Sequence, residues 1–263
     1  MHDLVFLNDA IVPLKKAGIA AVSSAALYGK GVFTTIAIHD AKPFLLGKHW
    51  ERLQSDAARV GIHIWEYPAE SVAGALAGLI EKNSVKNGRA RVTFFDERGG
   101  GVWETDAECE TSLLITTGDT RPVPEKLKLT LSPYILNSRS PLAGVKSCSY
   151  LENLLALDEA KGRGFDEAIR LNDRGLIASG CMANIFWRKD GQLYTPGLTS
   201  GCLAGTTRGF VIGKLGAIET EAGPDVLETA DAIIVTSAGL GIIEAAELDG
   251  RKLEVRNYDL RTL

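Results

Sequence analysis

The chain has no C-x-x-C pair, no long apolar run and no dense stretch of lysine and arginine. Its four cysteines, Cys109, Cys148, Cys181 and Cys202, are scattered through 263 residues. A chain of that length buries enough surface without staples, so reduced thiols and a cytoplasmic setting are expected. The four histidines, His2, His39, His49 and His63, show no ligand spacing, and no metal is expected. No apolar run approaches the roughly 20 residues of a membrane span. The opening "MHDLVFLNDAIVPL" lacks the charged start and cleavage pattern of a signal peptide, so no membrane association is expected. Without a basic tract, nucleic acid is not an expected partner. What is present is ordinary for a folded chain: 45% hydrophobic residues, 24% charged, and a formal net charge of −4. These values fit one large domain or two modest ones.

"LVFLNDAIVPL" reads as a hairpin turning at Asn8-Asp9. The alternating run Val32 to Ile38 reads as a strand, followed by a tight turn at Asp40-Ala41-Lys42. "KHWERLQSDAARVGI" places Trp50, Leu53, Ala57 and Val60 at helical spacing and stops at Gly61. "PAESVAGALAGLIEKN" is a second helix opened by Pro68. "RARVTFF" and "TSLLITT" are strands, so strands and helices mix without a βαβ rhythm. The composition of "GDTRPVPEK" and "SPYILNSRSPLAG" points to a domain boundary between 118 and 144. Beyond it come the helix "YLENLLALDEAKGRG", short strands at "EAIRL", "GLIAS", "ANIFWR" and "QLYTP", a helix from about Thr206, the strand "ADAIIVTS", and a final hairpin.

One lysine is badly placed for a surface charge. In "SPLAGVKSCSYLENLLALDEA", Lys146 follows Leu142, Ala143, Gly144 and Val145, and the apolar helix pattern starts at Tyr150. A lysine at a core edge commonly snorkels, with its stem covered and its head wet. The chemical alternative is a desolvated amine of lowered pKa, which can form a Schiff base with an aldehyde. Pyridoxal phosphate is such an aldehyde, and it also requires a phosphate cradle. "GCLAGTTR" sets Gly205, Thr206 and Thr207 at an expected helix start, where N–H groups and hydroxyls suit a phosphate. "VTSAGLG" ends a strand in small residues that let a ligand approach the backbone.

The order "SPLAGVKSCSYLENLLALDEAKGRGFDEAIRLNDRGLIASGCMANIFWRKDGQLYTP", "LAGTTR", "IIVTSAGLGI" resembles the class IV aminotransferases, the fold-type IV pyridoxal-phosphate enzymes. The resemblance implies a mixed α/β (α+β) chain of two domains. A small N-terminal α+β domain over 1–132 would roof the pocket. Residues 133–140 would link it to a larger, β-rich cofactor-binding domain with flanking helices over 141–263. It implies Lys146 as the Schiff-base lysine and proton shuttle, and Tyr150 as the partner of the cofactor's 3-oxygen. Arg52, Thr206, Thr207, Ser237 and Ala238 are implied as phosphate contacts, with Leu203 beneath the ring. It also implies a homodimer, with the loop at glycines 99 to 101 crossing to the partner. One departure stands out. Where the family usually carries a glutamate facing the pyridine nitrogen, this chain has Ser179, which offers only a neutral hydrogen bond and weakens the electron sink.

The resemblance further implies substrate contacts at Tyr28, Thr35, Arg91 and Arg98, the arginines being natural partners for a carboxylate. The reading it favours is an aminotransferase passing an amino group between a small amino acid or amine and a 2-oxo acid. The alternative is aminodeoxychorismate lyase, releasing pyruvate and 4-aminobenzoate, towards which the paired threonines of "GVFTTIAI" lean. A third reading, a cofactor-binding protein made feeble by Ser179, also stands.

Overall fold

A computed structural model describes residues 1–99 and 110–255. The chain forms two compact units. Met1–Arg121 and the short segment Val145–Tyr150 make the first, and Pro122–Gly144 with the chain from Leu151 onward makes the second. Residues 133–140, read above as a linker, therefore fall in the second unit, and the lysine segment falls in the first. Of the glycine loop at 99 to 101, Gly100 and Gly101 lie outside the described residues, as does Cys109.

The first unit is built on β1 (Leu4–Leu7), β2 (Ala10–Pro13), α1 (Ser24–Tyr28), β3 (Gly31–His39), β4 (Lys42–Pro43), α2 (Leu46–Arg59), α3 (Ala69–Lys82), β5 (Gly88–Asp96) and β6 (Thr111–Gly118). The strands join in the order β2-β1-β6-β5-β3-β4, with every pairing antiparallel. The β3–β4 turn needs Asp40 and Ala41 at positive φ, 47° and 62°, the geometry of a two-residue hairpin loop that follows strand twist. Val32, Ile36 and Ile38 of β3 pack with Leu53 and Ala57 of α2 and with Val72, Leu76, Leu79 and Ile80 of α3. Each such fully buried aliphatic contributes roughly 1.5–3 kcal/mol over exposure. The buried stripe of α2 differs from the apolar one. It consists of His49, Leu53, Asp56 and Ala57, so two ionisable groups face inward beside the aliphatics.

The second unit comprises β7 (Leu127–Leu131), α4 (Leu151–Gly162), β8 (Glu167–Leu171), β9 (Ile177–Gly180), β10 (Asn184–Lys189), β11 (Gln192–Pro196), α5 (Thr206–Leu215), β12 (Ile218–Thr220), β13 (Ala232–Ser237), β14 (Gly241–Leu248) and β15 (Arg251–Lys252). Its sheet runs β12-β11-β10-β13-β14-β7-β8-β9, with β15 on β14. The pairs β14–β7 and β7–β8 are parallel, while β10–β13 and β13–β14 are antiparallel. Leu129, Ile169, Ile185, Ile233 and Ala245 are all 0% exposed and fill its core. Among the described residues, no helix is long and apolar enough to cross a membrane.

Candidate active site

In the first unit the segment 145–150 lies along the edge of β3. Phe33 N–H donates to the Lys146 carbonyl at 2.9 Å and Cys148 N–H to that of Gly31 at 2.8 Å, with an antiparallel bridge between Val32 and Ser147. The approach is close enough to require glycine at 31. A side chain there would meet Cys148 Sγ at 2.9 Å and the Phe94 carbonyl at 3.0 Å. This pairing presents Lys146 to a group of aromatic and cationic side chains. Its Nζ lies 4.5 Å from the Phe33 ring centroid and 5.2 Å from that of Tyr150, and the two rings meet edge to face at 5.3 Å. The Arg91 guanidinium lies over Phe33 at 3.6 Å, and its Nε donates to Thr93 Oγ1 at 3.2 Å.

α2 supplies the rest. Arg52 Nη2 donates to Thr34 Oγ1 at 2.8 Å. Thr34 and His49 Nδ1 are 2.6 Å apart. Burial first, then the charges of Arg52 and Lys146, press the imidazole down to about 3, so His49 is neutral near pH 7. With the Thr34 oxygen accepting from Arg52, its hydroxyl proton is free to donate to Nδ1, and the three side chains form a directed chain. Asp56 is buried, and its Oδ2 accepts from the Lys146 backbone N–H at 3.1 Å.

Lys146 as a residue is only partly buried, yet the atoms packed round its amine, then Arg52 and Arg91, bring it down to about 7 against the pull of Asp56. Close to neutrality this amine is therefore divided between a proton acceptor and a proton donor. Lys146, Arg52, Tyr150 and Arg91 thus share one neighbourhood. Thr35 is the register partner of Arg91 on β5. Tyr28 stands half exposed at the end of α1, next to Gly29, whose φ of 66° brings it against Ser149. Arg98 turns elsewhere, to the fully buried Asp96, at 3.5 Å, a carboxylate it shares with Lys30 at 2.7 Å.

The second unit gathers the other expected positions around Asn184. Its Nδ2 donates to the Leu203 carbonyl at 2.8 Å. Its Oδ1 occupies the space a side chain at Gly205 would need. Gly205 opens α5, and no side chain among the described residues caps it. Thr206 and Thr207 are its first residues. In the β10–β13 register Asn184 pairs with Thr236, one residue before Ser237. Leu240 N–H donates to Ser237 Oγ at 3.2 Å across the turn that carries Ala238. Ser179, on β9, sits opposite Arg170. The turn after it is fastened by Glu167, which is buried and accepts from the N–H groups of Cys181 at 2.7 Å and Met182 at 3.1 Å. Among the described residues, no cluster of His, Cys, Asp and Glu could hold a metal.

Phe33, His49, Asp56, Glu167 and Asn184 were not singled out from the sequence. His49 and Asp56 carried a usable signal, since they stand three before and four after Arg52 on one helix face.

One antiparallel and one mixed sheet with these side chains define a known class, and the chain belongs to the amino-transferase class IV family, whose model matches residues 31–248. The chain is 30% identical to the aminodeoxychorismate lyase of Bacillus subtilis (strain 168), over 94% of this chain and 87% of the relative. Among solved structures it is similar to the branched-chain aminotransferase of the thermophilic archaeon Thermoproteus uzoniensis with norvaline. That match has a TM-score of 0.89 and 27% identity, and covers 97% of this chain and 90% of that one. The branched-chain amino acid aminotransferase of Escherichia coli matches with a TM-score of 0.88 and 25% identity, covering 96% of this chain and 88% of that one.

Proposed function

We propose that the protein is a pyridoxal-phosphate-dependent aminotransferase that passes an amino group between a small amino acid or amine and a 2-oxo acid. The observation that carries the reading is the placing of the Lys146 amine, 4.5 Å from the Phe33 ring and 5.2 Å from that of Tyr150, where burial and then Arg52 and Arg91 bring it down to about 7. The residues present fit the cofactor by their donor chemistry. The Arg52 and Arg91 guanidiniums act on the neighbourhood of the Lys146 amine, where, among the described residues, the Asp56 carboxylate opposes them, so an anion is welcome. In the second unit, the start of α5 and the Ser237 turn, both tied to Asn184 and its register partner, suit a phosphate.

In this reading Lys146 would hold the cofactor, Arg52, Thr206, Thr207, Ser237 and Ala238 would bind its phosphate, Tyr150 would serve its 3-oxygen, and Leu203 would supply an apolar contact for its ring. When bound, the cofactor supplies an aldehyde for the substrate amine and a ring that spreads negative charge. The neutral Lys146 amine takes the proton from the substrate Cα and returns it, as a base with a pKa near the working pH does best. Arg91, Tyr28 and Thr35 orient the substrate, whereas Arg98, paired with the buried Asp96, is given no such role. Ser179 would give the ring nitrogen a neutral partner, which weakens the electron sink. The exposed Leu151, Leu154 and Leu155 of α4, with Tyr134 and Ile135 nearby through Arg170, form an apolar strip that supports a homodimer.

A second reading, aminodeoxychorismate lyase, is favoured by the paired Thr34 and Thr35 and by the likeness to the Bacillus subtilis protein. Borohydride reduction of the cofactor-loaded protein, followed by digestion and mass spectrometry, is expected to leave the label on the peptide containing Lys146; a label on another lysine refutes the site. Loss of the cofactor's absorbance on mixing with amino acids or amines identifies the aminotransferase. Fluorescent 4-aminobenzoate formed from aminodeoxychorismate, with no reaction towards any amine, identifies the lyase instead.

A further inference from the structure

We propose that Asp56 is the positioning residue of Lys146: from α2 its carboxylate pins the main chain at 146 and stands as counter-charge to the lysine amine. The segment 145–150 is a short edge piece. On one side the bonds to Gly31 and Phe33 hold it. On the other, the Lys146 N–H donates to Asp56 Oδ2 at 3.1 Å, across ninety positions of sequence. That bond fixes the φ, and hence the Cα–Cβ direction, of the one residue whose amine must be aimed.

A neutral acceptor would have been enough for the anchor alone. A carboxylate 3% exposed is a costly choice for it. Burial pushes the Asp56 carboxyl up, and the Lys146 N–H, Arg52, Arg59 and the Lys146 amine push it back down. The net shift is upward, so these neighbours oppose the effect of burial without cancelling it, and in its ionised form the carboxylate acts on them in return. The groups facing the Lys146 amine are His49, Arg52 and Asp56 from α2, Arg91 from β5, and Tyr150 from its own segment. Burial first, then the two arginines, drives its proton off, and Asp56 holds the proton on. Asp56 thereby keeps the amine able both to accept a proton and to carry one, where the arginines alone would leave it neutral over a wider range of pH. Its consequence for the reaction rests on Lys146 being the cofactor-bearing lysine; the anchor and the charge balance can be read on the full chain without cofactor.

The test uses Asp56→Asn and Asp56→Ala, with far-ultraviolet circular dichroism to establish that each folds. Asparagine keeps an acceptor for the Lys146 N–H and loses the charge, while alanine loses both. Amide exchange at Lys146 is expected to quicken roughly ten- to a hundredfold in Asp56→Ala and to stay near the parent rate in Asp56→Asn. The pH at which the Lys146 amine becomes reactive towards reductive methylation, read by mass spectrometry, is expected to fall in both variants. A change in amide exchange without any shift of the amine in Asp56→Asn reduces Asp56 to a structural peg and overturns the proposal, as does unaltered exchange in Asp56→Ala. If these shifts appear but the reduced cofactor labels another lysine, the positioning stands and the functional reading fails.

Discussion

An amine held near 7 stores a conflict that pH exposes. The Lys146 ammonium is comfortable in the unfolded chain up to its ordinary value of 10.5, and in the fold only up to about 7. Between those values the unfolded chain binds the extra proton, so this group's contribution to stability improves as pH rises. Below 7 the fold carries the full penalty of an enclosed charge. Lys146→Met is therefore expected to raise the thermal midpoint of the cofactor-free protein at pH 6 to 7. The gain should shrink steadily towards pH 10, measured as the difference between variant and parent at each pH. Thr34 is exposed to a different test. Thr34→Val keeps shape while removing the acceptor of Arg52 and the partner of His49. A loss of about 1–3 kcal/mol is expected in urea unfolding, with weaker binding of cofactor in titrations if Arg52 is the phosphate arginine.

α5 begins where it does because position 205 has no side chain. Gly205→Ala would press against Asn184 Oδ1, and relief requires breaking the Asn184–Leu203 bond or shifting the first turn of the helix. Cofactor affinity is expected to fall tenfold or more, about 1.4 kcal/mol, with the thermal midpoint of the unliganded chain little changed by comparison; equal losses in both would contradict a binding role for this turn. Much of this level of organisation could be read from residue patterns. The alternation of Val32 to Ile38 became β3, Asp40-Ala41 became its turn, and "AGTTR" became the start of α5. α2 was found as a helix with Trp50, Leu53, Ala57 and Val60 on its core side, but that face extends further, to His49 and Asp56. By composition Arg52 is an ordinary solvated helix arginine, and His49 and Asp56 drew no role, because periodicity weighs apolarity and cannot register ionisable side chains that turn inward. The parallel partnership of β7 with β8 and β14 had no local signature, since strand periodicity says which face is buried and nothing about the neighbour. Lys146 was legible because small and apolar residues surround it in sequence; Glu167 was not, because its partners are backbone N–H groups, which every residue has.

At the level of the molecule, the strip formed by Leu151, Leu154 and Leu155 is the main exposed apolar feature of α4. Paired substitution, Leu151→Asp with Leu155→Asp, is expected to halve the mass seen by light scattering if this strip joins two copies. An unchanged mass would rule this strip out as an interface between copies. The chain also passes between its two units three times, after Arg121, after Gly144 and after Tyr150. No single cut in the gene can therefore yield either unit whole. A product ending near position 121 would lack the segment that bears Lys146, and one starting there would carry that segment without the sheet edge it pairs with. Shuffling the front half of this protein onto a relative's back half would transplant a helix that holds Asp56 while importing a foreign lysine segment to meet it. Such a hybrid should work only when position 56 and the lysine strand are exchanged as one inheritance.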